Sequence, residues 1–441
     1  MFKLYTPQDA KTSILKRTAP DQLKVPAQLL DGIEALFGER LNPADAVRRI
    51  LNEIRAEGDA ALRRWMSTLD AFDRSTYRIP PSTLNAAWEA LPASEQDALK
   101  LAAERVEQFH RKQPLHSWIT QDMGGTIGQM IRPIGRVGLY VPGGTAPLPS
   151  SVLMSAIPAR VAGVPNVVVV TPPTRGTGEV AGITLAACYL SGVEEVYALG
   201  GAQAVGALAY GTETIPAVDK IFGPGNLFVT LAKQQVFGVV GIDGLFGPTE
   251  TVVIADEHAN PAWVAADLLA QAEHDVAASA ILLTPSRQMA EAVQVEIGKQ
   301  IETLSRAETI AVSLENRSGA VITTDLDEAV LLANAYAAEH LCLAVENPWA
   351  LSEQIQNAGG VFIGEHSFEV LGDYTAGPSH TMPTGGSARF TSPLNVWDFV
   401  KIVSLVALDA ETGSELSKTA AKLAYAEGLD AHAKAAERRI R

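Results

Sequence analysis

An α/β fold of two parallel-sheet lobes facing a cleft is what this sequence predicts, and three observations predict it. Short apolar, strand-like runs alternate with helix-length segments twice, once from 136 and again from 251. A helical stretch precedes the first series, and another follows the second. The 441 residues, 47% hydrophobic and 19% charged, are enough to build more than one sizeable core.

Residues 1–29 read as a polar N-terminal arm. Within 42–112, DAVRRILNEIRAEGDAALRRWMSTL repeats its apolar residues at helical spacing. The first alternating series is RVGLYV, NVVVVTPP, EEVYAL and DKIFG, with helices expected around 150–163, 179–191 and 203–210. The second is TVVIAD, AILLTP, GAVITT, LCLAVE and GVFIGE, separated by helical segments such as LDEAVLLANAYAAEH. Strands and helices of this length imply Rossmann-like lobes with helices on both sheet faces. The expected units are an arm over 1–29, a smaller α/β domain over 136–250, and a larger one from 30–135 plus 251–392. From 393 the pattern reads as helical to the end, and the stripe AKLAYAEGL has no lobe left to cover. Such a stripe calls for a neighbour, most simply another subunit.

The net charge of −15 argues against nucleic acid or an anionic membrane as the main partner. The most apolar region, SSVLMSAIPARVAGVPNVVVV, is broken by Arg160 and two prolines and is no transmembrane span. MFKLYTPQDAKTS lacks the apolar core of a signal peptide. Cys188 and Cys342, both in apolar settings, read as buried thiols of a reducing, cytoplasmic compartment.

Five features offer chemistry, each beside an ordinary structural explanation. Gln271 and His274, in QAEHD, share one helix face and can address one object, although a capped helix end explains them as well. The glycine turns PGGTAPLPSS, ALGGAQA and FGPGN let backbone N–H groups approach a phosphate. No G-x-G-x-x-G follows the first strand, however, and VVVVTPPTRG lacks the acidic residue that usually holds a ribose. Glu339 and His340 stand where a helix gives way to a strand, and a carboxylate beside an imidazole suits acid–base work in separate steps. Asp373 precedes His380 in the Gly-, Pro-, Ser- and Thr-rich LGDYTAGPSHTMPTGG, read as a loop. Glu427 and His432, in AEGLDAH, share no face of an unbroken helix; either Gly428 loosens the helix there or the two contact different parts of one ligand.

Taken in order, GRVGLYVPGGTAPLPSSVLM, GGAQA, FGPGNLFVT, GPTE, QAEHD, YAAEHL, GDYTAGPSHTMPT and EGLDAH resemble the histidinol dehydrogenase family. The N-terminal 120 residues match it only in general character. The resemblance implies oxidation of L-histidinol to L-histidine through L-histidinal, with NAD taking up electrons in two consecutive steps. It implies one zinc ion per subunit held by Gln271, His274, Asp373 and His432, the last supplied across a homodimer. An oxygen-rich set of this kind also accepts manganese. The larger domain would then carry the metal and catalytic residues. The resemblance places NAD on the 136–250 domain near Tyr140, Gln203 and Asn226, and substrate near Thr249, Gln271, His274, His340, Asp373, Glu427 and His432. His340 fits as base for the alcohol step, and Glu339 as base for the water that adds to the aldehyde. The family more often has serine where Thr249 stands, which adds a methyl group at that place.

The rival readings are a family relative acting on another small alcohol such as a sulfopropanediol, a zinc hydrolase using Glu339, and a non-catalytic metal-dependent binding protein. The hydrolase leaves the glycine-turned first lobe without a task. His110, His116, His258 and His366 read as structural or surface residues.

Overall fold

In the computed structural model, residues 2–17, 25–72, 74, 76–143, 147–174 and 177–441 are described. Part of the turn PGGTAPLPSS (144–146) and the end of VVVVTPPTRG (175–176) fall outside them.

The first sheet holds five parallel strands in the spatial order Glu195–Ala198, Asn166–Thr171, Arg136–Tyr140, Lys220–Phe222 and Gly241–Ile242. The short strand Arg78–Ile79 runs antiparallel at its edge. Chain order reverses between Arg136–Tyr140 and Lys220–Phe222, and a crevice opens beyond the carboxyl ends of strands at such a reversal. The second sheet is wholly parallel: Lys3–Tyr5, Gly319–Ile322, Ser279–Thr284, Glu250–Ala255, His340–Ala344 and Gly360–Ile363. Its central strands are buried on both faces, which explains their near-continuous apolar runs. All nine strand-like runs of the two alternating series form strands, and both lobes have the predicted α/β build.

The helices before 136 differ from the expected grouping. Pro43–Glu57 and Asp59–Asp70 place Val47, Ile50, Leu51, Ile54, Leu62 and Met66 in one core with Val168, Val170 and Tyr197 of the first sheet. Ala93–His110 adds Leu99 and Val106 to the core on the opposite face. Their apolar stripes say that they cover a sheet, not which one. The N-terminal arm goes the other way, its strand Lys3–Tyr5 pairing with Gly319–Val321.

The region from 393 is not wholly helical. Val400–Leu408 is a strand, paired antiparallel with Gly125–Pro133, which in turn pairs with Trp118–Thr120. The run VKIVSLVAL carries neither a clean two-residue nor a clean helical period, so its pattern does not disclose the pairing. Beyond it, Asp409 caps the helix Ala410–Ala426, accepting from the Thr412 N–H at 2.8 Å. The helix Asp430–Glu437 follows. This arm leaves Trp118, Ile119, Ile402, Val406, Leu416, Leu423 and Tyr425 exposed.

The arm is rooted in the first lobe by Phe399, whose ring stacks on Phe222 with centroids 4.2 Å apart, both fully buried. Phe399→Ala should cost about 3–5 kcal/mol. A loss of unfolding free energy in urea much smaller than that would show that the arm is anchored elsewhere.

Candidate active site

The helix Leu326–Tyr336 ends at Ala337, whose φ of 53° lies in the left-handed region that closes helices. Three residues later the chain enters the strand that begins at His340, directly beside Thr251 of the neighbouring strand. Glu339 and His340 therefore sit at the amino end of a central strand, where the preceding helix delivers its last turn, beside the amino end of the strand Glu250–Ala255. Glu339 is buried. Its Oε2 accepts from the Thr249 hydroxyl at 2.5 Å and from the Glu250 N–H at 3.1 Å. Gln271, at the end of the helix Pro261–Ala272, donates its Nε2–H to the same Thr249 hydroxyl at 2.7 Å. Burial raises the Glu339 pKa to about 7, against the opposing pull of His340, the Thr249 hydroxyl and the Glu250 N–H.

The His340 imidazole lies among carboxylates without bonding any of them. Nδ1 is 3.9 Å from Glu339 Oε2 and 4.0 Å from Glu369 Oε1, and Nε2 is 3.8 Å from Asp373 Oδ1. Both ring nitrogens are buried without a hydrogen-bond partner, as is Gln271 Oε1. Native interiors seldom leave such atoms unmatched except where a ligand or a reacting group belongs. Glu369, bonded to the Thr251 hydroxyl, is held well above the usual carboxylate range by burial and by the charge of Asp373. His274 is open to solvent over the residue as a whole, but protein crowds its ring. Desolvation lowers its pKa, against the attraction of Asp373 and Glu273.

Among the described residues, no group of three or more His, Cys, Asp or Glu side chains is disposed to hold a metal. The donors that gather here nevertheless fit one in part. Gln271 offers an unmatched buried oxygen, and His274 and Asp373 bring an imidazole and a carboxylate whose charges interact. That set is one or more donors short of a complete shell. Asp373 lies in the last turn of a short helix, Glu369–Tyr374, and not in a loop as its glycine-rich surroundings suggest.

On the first lobe, the Tyr140 hydroxyl accepts from the Gly201 N–H at 3.1 Å, and burial raises its pKa to about 12. Gln203, buried in the first turn of Gly201–Tyr210, donates to Asp70 at 3.1 Å, and its Oε1 has no partner. Asn226 caps Leu227–Val236 through the N–H groups of Phe228 and Val229. Tyr140 ends its strand, and Gln203 and Asn226 lie beyond the carboxyl ends of theirs. At Gly223 (φ 109°) a Cβ would stand 2.0 Å from the Tyr140 carbonyl oxygen, so only glycine lets these two strand ends approach.

A family model described as histidinol dehydrogenase matches residues 39–440. Curated histidinol dehydrogenases from Deinococcus radiodurans and Methylococcus capsulatus are each 51% identical, the first over 95% of this chain and 96% of its own, the second over 90% and 91%. A solved histidinol dehydrogenase structure from Elizabethkingia anophelis superposes with a TM-score of 0.91 at 34% identity, covering 99% of this chain and 98% of that one. The chain belongs to the histidinol dehydrogenase family. It is an oxidoreductase, and its two-lobed α/β architecture is that of the Elizabethkingia anophelis structure.

For a histidinol dehydrogenase, the sequence motifs recover most of the cluster but not all of it. Gln271, Thr249, Glu339, His340, Asp373 and His274 gather at one end of the second sheet. Glu427 and His432 do not join them. Gly428, at φ 74°, breaks the helix between the two, and both stay exposed on the arm. Among the described residues, no hydrogen bond or ion pair links either to the Glu339–His340 cluster. Sequence reasoning missed Glu369, whose burial no local pattern announces. It singled out His380 without a role. The His380 ring meets the Ser151 hydroxyl at 3.2 Å, and its N–H reaches Met154, both on the helix Pro149–Val161 of the first lobe. It thus spans the cleft.

Because the folded chain binds the Glu339 proton more tightly than the unfolded chain does, this group's contribution to stability is complete below the unfolded value of about 4.5. It is lost as pH rises through about 7. Glu339→Gln should therefore melt at higher temperature than the parent near pH ~8, with the gain shrinking towards pH ~5. A melting shift that does not change with pH would contradict the raised pKa.

Proposed function

We propose that this chain oxidises L-histidinol to L-histidine through L-histidinal, using NAD and one zinc ion per subunit, with manganese an alternative metal. The observation that carries the reading is the pair Glu339–His340: two buried groups able to take protons, with different surroundings, beside the unmatched, buried amide oxygen of Gln271. When bound, the metal would hold the substrate's imidazole and amino nitrogens, and NAD would accept two electrons and a proton equivalent in each step. Gln271, His274 and Asp373, with His432 of the partner subunit, are the proposed metal ligands. Tyr140, Gln203 and Asn226 are the proposed NAD contacts, at the strand reversal of the first sheet.

His340 takes the hydroxyl proton in the alcohol step, its free ring nitrogens leaving room for that proton. Glu339 takes a proton from the water that adds to the aldehyde carbon. With a pKa near 7 it is a base of useful strength that can also release the proton again. The single hydroxyl proton of Thr249 is committed to Glu339 and one lone pair to Gln271. Towards the substrate, Thr249 can therefore only accept, which suits an N–H of the substrate's amino group. Glu427 would contact substrate from the partner's arm, as His432 would contact the metal. The exposed apolar arm, and the separation of Glu427 and His432 from the cluster in their own chain, support a homodimer with shared sites. No described helix is long and apolar enough to cross a membrane. The buried free thiols of Cys188 and Cys342 accord with a cytoplasmic setting.

Metal-loaded protein should yield two NADH per L-histidinol consumed; chelation should abolish turnover and added zinc restore it. No turnover of histidinol by metal-loaded protein would sink the proposal and turn attention to other small alcohols. Glu339→Gln should still oxidise histidinol in a first turnover and then stall, with L-histidinal detectable by trapping. A variant that completes both steps at the parental rate would remove Glu339 from the second.

A further inference from the structure

We infer that Arg17, on the N-terminal arm, is a positioning residue of this active site: its guanidinium ties together the three segments that hold Glu339 and His340 in place. The inference rests on the reading of Glu339 and His340 given above.

Arg17 lies more than two hundred residues from every group it touches. It pairs with both oxygens of the buried Glu250 carboxylate, Nη1 with Oε1 and Nη2 with Oε2, the latter at 2.9 Å. Its Nε donates to the Tyr336 carbonyl at 2.9 Å, and Nη2 reaches the carbonyls of Tyr336 and Ala337. The guanidinium carbon stands 3.6 Å from the centre of the Tyr336 ring, so the flat cation also stacks. Those carbonyls close the helix Leu326–Tyr336, and a cation there satisfies groups the helix leaves unpaired and offsets its dipole. Ala337 is one of two described non-glycine residues with positive φ, and Glu339 follows two residues later.

Each contact leads to the catalytic pair by one further link. The backbone N–H of Glu250 donates to Glu339 Oε2, and Thr249, one residue before it, bonds the same oxygen. The Glu250 carboxylate also accepts from the Gly385 N–H at 3.2 Å, which pins the segment after His380. Arg17 touches neither Glu339 nor His340. It fixes the left-handed turn, the start of the Glu250 strand and the Gly385 segment relative to one another. A fork that binds two oxygens while stacking on a ring is work that lysine cannot reproduce.

The test uses full-length, metal-loaded protein with histidinol and NAD. Arg17→Ala should lose about a hundredfold in kcat with KM for histidinol nearly unchanged, since the base is displaced while the proposed substrate ligands remain. Guanidinium or ethylguanidinium ion added to Arg17→Ala should recover part of the rate. Glu250→Gln should lose kcat likewise, and the double variant should be no worse than either single one. Should Arg17→Ala fail to fold, Arg17→Lys, judged by an unchanged circular dichroism spectrum, is read in its place and should still lose most of kcat. A folded Arg17 variant with parental kcat, or losses that simply add in the double variant, would overturn the inference. Parental protein that leaves histidinol untouched would instead overturn the functional reading beneath it.

Discussion

Thr251 and His340 stand side by side at the amino-terminal ends of two neighbouring parallel strands, and the chemistry of this protein hangs on that register. It sets Thr249 against Glu339 and brings Glu369 under the imidazole through the Thr251 hydroxyl. Side chains alternate between faces along a strand, so a slip of one residue would turn each of these groups to the wrong side. The strands that enforce the register are buried on both faces. The same burial strips water from the carboxylates and raises Glu339 and Glu369 above their ordinary range. Packing and reactivity thus have one cause: the apolar runs that drive the sheet together also dry out the groups at its end.

What the sequence discloses follows from how local each signal is. Strand and helix alternation is written in adjacent residues, and both sheets were legible from it. The pairs Gln271/His274 and Glu339/His340 were legible because each sits on one short element. Arg17, Glu250 and Glu369 were not: their roles come from contacts across more than a hundred residues, and no spacing encodes them. The strand Val400–Leu408 escaped for a related reason, since its pairing with Gly125–Pro133 joins distant segments while its outward apolar residues blur the period. Glu427 and His432 present the opposite case. Their motif is plain, yet the fold leaves both exposed on the arm and apart from the cluster.

The two lobes use opposite ends of the same kind of sheet, and electrostatics gives a reason. In the first, the helices Pro149–Val161, Gly201–Tyr210 and Leu227–Val236 all begin just beyond the carboxyl ends of strands, turning their N–H groups towards the crevice. That end suits an anion such as a dinucleotide's phosphates. In the second, the groups of interest lie at the amino ends, where Pro261–Ala272 and Leu326–Tyr336 finish and their carbonyl ends converge. That end suits a cation, whether a metal or a substrate ammonium. Joining the lobes head to tail brings an anion-favouring edge to face a cation-favouring one. The connection that does so is short: the first sheet's last strand ends at Ile242, and the second sheet's central strand begins at Glu250. Gly247, midway, donates to the Thr384 hydroxyl at 2.6 Å, and His380 meets Ser151 across the gap. The cleft is therefore a consequence of chain direction. The helices flanking a parallel sheet run against its strands, so their N–H ends gather beyond its carboxyl ends and their carbonyl ends beyond its amino ends.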